Sequence, residues 1–88
     1  MKRIFLDCTQ MTVRLKAHQY LARLLDFPMC YACTMEALAE HLGECTTLTE
    51  LVFQNLPDDE EDYARQILLV VQTAAAKNRN LLVRVAEK

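Results

Sequence analysis

Eighty-eight residues leave room for one hydrophobic core and exclude a second, so the chain reads as a single domain over 1–88. With 52% apolar and 25% charged residues the composition is that of a folded globular chain, and no apolar stretch approaches the ~20 residues of a membrane span. The net charge of −2, and a stretch from Leu24 to Ala64 without Lys or Arg, exclude the basic surface that nucleic-acid phosphates require.

Lys2 to Asp7 predicts a first strand, its Ile4-Phe5-Leu6 run suited to burial in a parallel sheet. Met1-Lys2-Arg3 before that run resembles the start of a signal peptide, but Asp7 ends the apolar run after Leu6. The chain is therefore expected to be cytoplasmic. Thr12 is the expected N-cap of a helix carrying Ala17, Tyr20, Leu21, Leu24 and Leu25 at helical spacing, which Pro28 stops. Thr34 caps a second, short helix with Met35, Leu38 and Leu42 on one face, ending near Gly43, the single glycine.

Leu48 to Phe53 predicts a second strand. Pro57 is placed at the first position of a third helix, with Asp58 to Asp62 in its first turns beside the positive end of the helix dipole. Tyr63, Ile67, Val70, Val71 and Ala74 form that helix's apolar face. Lys77 falls in the last turn, and Asn78 is the expected left-handed cap. Leu81, Leu82, Val83 and Val85 make a third strand. This order predicts an α/β fold, a three-stranded parallel sheet with helices packed on it in the sequence β-α-α-β-α-β.

The basic residues flank an acidic centre that holds Asp26, Glu36, Glu40, Glu44, Glu50 and the run from Asp58 to Asp62. Such asymmetry argues for a basic protein partner. The Asp58–Asp62 run reads as a solvated helix start.

Catalytic chemistry finds little support. One glycine excludes a phosphate-cradling loop, and the absence of serine excludes a serine nucleophile. The four cysteines are expected as free thiols. Cys30-x-x-Cys33 precedes a helix but follows another, not the strand that a thioredoxin-like site requires. Cys30, Cys33, His41 and Cys45 have the spacing C-x2-C-x7-H-x3-C, which could ligate zinc, but partly buried packing is the favoured reading. Glu36 and Glu40 share a helix face, yet a chain this small can hardly build a sugar cleft around a carboxylate pair. His18 reads as a packed histidine of the first helix. No enzyme activity, metal or cofactor is expected.

The stretch from Asp26 to Leu42 resembles the barstar family, cytoplasmic bacterial inhibitors of a secreted ribonuclease. Phe27-Pro28, Tyr31, Ala37-Leu38 and Leu42 match the family pattern, and Glu36 and Glu40 stand where it has aspartates. His18 is similar in placement to the histidine that many members carry on the first helix, and the element order resembles the family fold. Cys30 replaces an aromatic residue, Ala32 a glycine, Thr34 an asparagine and Ala39 a tryptophan, while Thr73 aligns with an acid. The resemblance implies substrate mimicry, in which the second helix and the loop before it plug a cationic nuclease site with carboxylates in place of RNA phosphates. Glu40 would be the central anchor with Glu36 beside it. Tyr31, Thr34 and Glu44 would line the rim, Ala39 would lie within the face, and Cys30 and Cys33 would add packing. The implied partner is a small basic ribonuclease, bound by a monomer in a 1:1 complex; the alternative is a barstar-like interaction domain with another partner.

Overall fold

The computed structural model describes residues 1–86. Strands β1 (Lys2–Asp7), β2 (Thr49–Gln54) and β3 (Leu81–Val85) form one parallel sheet in the order β1-β2-β3. Helix α1 (Arg14–Leu25) and helix α2 (Met35–Gly43) connect β1 to β2, and α3 (Tyr63–Lys77) connects β2 to β3. The expected α/β architecture and element order are those observed.

Both crossovers step in the same direction across the sheet, so connections of one hand place every helix on the same face. Burial shows the consequence. Ile4, Leu6, Leu51, Phe53 and Leu81 lie in the core with Leu21, Leu38 and Ile67 from the helices. On the opposite face Phe5 is 50% exposed and Leu82 43% exposed. The apolar Ile4-Phe5-Leu6 run is thus buried only at its ends, because a parallel sheet with crossovers on one side leaves its other face to solvent. Central Val52 shares that outer face but is fully shielded, flanked in register by Phe5 and Arg84.

Several local expectations are corrected. The N-cap of α1 is Val13, with no side-chain hydrogen bond, rather than Thr12. The helix ends at Leu25, before Pro28, through Asp26 in the left-handed region at φ 58°, a conformation aspartate tolerates better than most residues. The second strand is displaced by one residue from Leu48–Phe53 to Thr49–Gln54.

Pro57 does not open α3. Asp59 instead accepts from the Glu61 amide in a local turn, and Asp62 caps the helix by accepting from Ala64 N at 3.0 Å. Aspartates that bond nearby amides compete with helix formation, so the acidic run precedes the helix. The buried stripe of α3 is Ala64, Ile67, Leu68, Val71 and Ala74; Tyr63 and Val70 are only half-buried. Asn78 is extended rather than left-handed. Its side-chain amide donates to the carbonyls of Leu42 at 2.9 Å and Cys45 at 3.0 Å, closing the C-terminal end of α2.

Candidate functional site

Helix α2 and the loop from Phe27 to Thr34 form a surface held from beneath at three points. Thr34 caps α2 as expected, its hydroxyl oxygen accepting from Ala37 N at 3.1 Å. Arg14 of α1 donates to the Cys33 carbonyl at 2.8 Å. Tyr31 enters the core.

Tyr31 is therefore not a rim residue. Its hydroxyl lies 2.7 Å from His18 Nδ1, and the Tyr63 hydroxyl lies 2.7 Å from His18 Nε2. Neutral imidazole donates from one nitrogen and accepts at the other, which matches one accepting and one donating phenol. Burial and the nearby Arg14 charge hold the His18 pKa below its ordinary value, and burial pushes both tyrosine hydroxyls up. Phe27 stacks on the His41 ring at 5.0 Å, and Tyr31 packs on Phe27 at 4.9 Å and on His41 at 5.3 Å. Aromatic residues that could have faced a partner instead pin the loop to α1, α2 and α3.

The outward side is acidic. Glu36 and Glu40 on α2 and Glu44 at its C-terminal cap are exposed at i, i+4 and i+8, with exposed Ala39 between the first two. Each step of four residues turns the stripe slightly around the helix. Glu36 consequently borders a groove shared with α3, and Glu44 borders a hollow shared with Asp26 and Lys2. Thr34 and Cys30 are exposed and Cys33 is half-buried.

Of the four residues with zinc-like spacing, two are engaged in other contacts. His41 is stacked on Phe27, and the Cys45 thiol donates to the Thr47 carbonyl at 3.2 Å. Among the described residues no cluster of three or more His, Cys, Asp or Glu side chains is arranged to hold a metal ion. No described helix is long and apolar enough to cross a membrane.

The same surface carries a feature with only a weak signature in the sequence. Helices α2 and α3 bound a groove of about 560 Å³, lined by Ala39 and Gly43 on one side and Val70, Thr73 and Ala74 on the other. Its sequence signal is the i, i+4 pair Ala39 and Gly43, small residues that keep the outer side of α2 low.

Compared with models of known protein families and with curated proteins, the chain matches none.

Proposed function

We propose that this chain is a protein-binding inhibitor of barstar type, directed at a small basic ribonuclease whose cationic active site it blocks with the carboxylates of α2. The observation that carries the reading is the exposed Glu36–Glu40–Glu44 stripe, set in a stretch without Lys or Arg from Leu24 to Ala64. An acidic ridge whose own segment carries no cation, with Lys2 and Lys77 only at its margins, presents a field complementary to a site that binds RNA phosphate, which accelerates encounter and fixes register. Glu40 is the central anchor and Glu36 its neighbour; Thr34 and Glu44 border the contact, with Ala39, Cys30 and Cys33 contributing surface. The resemblance to the barstar family supports the choice of a ribonuclease over other basic proteins.

A second reading has its own support. With Tyr31 turned into the core and Ala39 small, the face offers no aromatic anchor, the residue type that most often dominates tight interfaces. This favours a basic protein partner other than a ribonuclease. RNA-cleavage assays with purified small secreted bacterial ribonucleases, titrated with this chain, separate the two. Stoichiometric inhibition of one of them is expected. Binding to a basic protein without loss of nuclease activity supports the second reading.

A further inference from the structure

Helices α2 and α3 run side by side in the same direction. Asn78, just past the end of α3, donates to the Leu42 carbonyl at 2.9 Å and approaches that of Gly43 at 3.5 Å, so the two C-terminal ends meet. Glu36 lies at the N-terminal end of the groove between the helices and Lys77 at its C-terminal end. Both side chains are exposed, and among the described residues Arg3–Glu50 is the one ion pair. Seven helical residues separate the levels of Glu36 and Gly43, or about 10 Å at ~1.5 Å per residue.

Between these charges the surface is small or apolar, and Leu69 on its edge is 64% exposed. Gly43 is not required by its own chain. Its φ is not positive, and a Cβ placed there would meet nothing within 4 Å. A surface with an acid at one end, a base at the other and apolar atoms between is complementary to itself turned through 180°. Laid antiparallel on a second copy, each Glu36 meets the other's Lys77, while Leu69 finds the opposing groove and bare Gly43 permits close approach.

We propose that two copies of this chain associate through the α2–α3 groove as a two-fold dimer with reciprocal Glu36–Lys77 pairs. Exposed ion pairs add little affinity, so the apolar contact supplies the attraction and the charges select the antiparallel direction. The inference goes beyond the monomer or 1:1 complex expected from the sequence and does not depend on the identity of the basic partner. Because Glu36 belongs to both surfaces, self-association withholds the acidic face from that partner.

Sedimentation velocity over roughly 1 μM to 1 mM chain tests it. The expected result is a weight average rising towards twice the monomer mass. Glu36→Lys and Lys77→Glu should each weaken the dimer at least about tenfold, because like charges then meet at both ends. The double variant Glu36→Lys/Lys77→Glu should restore association to near the original level. Leu69→Asp, at an exposed position, should abolish it while leaving the far-UV circular dichroism of the folded chain unchanged and lowering the urea midpoint of the dilute monomer only slightly. A chain that stays monomeric throughout, a dimer indifferent to the single changes and to Leu69→Asp, or a double variant as weak as the singles would overturn the proposal.

Discussion

The Tyr31 hydroxyl sits 2.7 Å from His18 Nδ1, and this contact ties the loop before α2 to the first helix from inside the core. Through Nε2 the same imidazole reaches Tyr63 at the start of α3, so one buried ring links three segments. The acidic stripe of α2 rests on this anchor without including it.

Removing one phenol should therefore cost stability. Tyr31→Phe leaves a buried imidazole nitrogen without its partner and should destabilise the fold by about 1–3 kcal/mol. The shift in urea midpoint at unchanged slope measures it. A neutral effect would mean that Tyr31 faces solvent, as a rim residue would.

Stability should also depend on pH with a definite sign. The folded-state pKa of His18 lies below its ordinary 6.5, so below that pH the unfolded chain binds the proton more readily than the folded one. Stability is full above about pH 6.5 and falls as the pH drops below it, by at most about 1.4 kcal/mol per pH unit for one proton. Asp7, whose carboxylate is held below 3.8 by bonds from Thr9 and Asn55, begins to contribute a loss only in more acid solution. On the alkaline side, burial pushes the Cys8 thiol from 9.0 up to about 11, so stability declines once the pH exceeds about 9. Urea unfolding from pH 4.5 to 10 should show the plateau between these limbs, and His18→Gln should remove the drop between pH 6.5 and 5. An acid limb that survives this change belongs to another group.

The cysteines should differ sharply in reactivity. Cys30 is exposed, Cys33 and Cys45 are half-buried, and Cys8 is buried with its thiol raised to about 11. At pH 8 about one Cys8 thiol in a thousand is ionised, so alkylation should mark Cys30 first and Cys8 only on unfolding. Timed alkylation read by peptide mass spectrometry checks the order. Equal labelling of Cys8 and Cys30 in the native protein would contradict the packing described.

Core and face should separate under substitution. Ile67 is fully buried on α3, and Ile67→Ala should cost roughly 2–4 kcal/mol. Glu40 is exposed on α2, and Glu40→Ala should change stability by about half a kcal/mol or less. Unfolding by Glu40→Ala would make that acid structural and remove the proposed binding face.

How far the sequence reveals these features depends on whether they are local. The strands, the Thr34 cap and the stripe of exposed acids follow from period and capping chemistry within a few residues. The fate of Phe5 depends on which side of the sheet the crossovers take, which no local pattern around it records. Tyr31 turns inward because His18, thirteen residues earlier, and His41 on the next helix offer it polar and aromatic partners. Asp58 to Asp62 carry the charge of a helix start, but the Asp59 carboxylate bonds the Glu61 amide in a local turn and the helix begins only after its Asp62 cap. The α2–α3 groove arises where two helices far apart in sequence meet.

The central claim is the proposal that the acids of α2 engage a cationic site, and the salt dependence of association with a small basic ribonuclease tests this most directly. Stopped-flow binding at increasing NaCl should show the association rate falling steeply as screening shortens the reach of the acidic face. In the same experiment Glu40→Ala should weaken equilibrium binding by roughly 2–5 kcal/mol, since it leaves desolvated cations unpaired on the partner. Association indifferent to both salt and Glu40→Ala would contradict the mimicry mechanism.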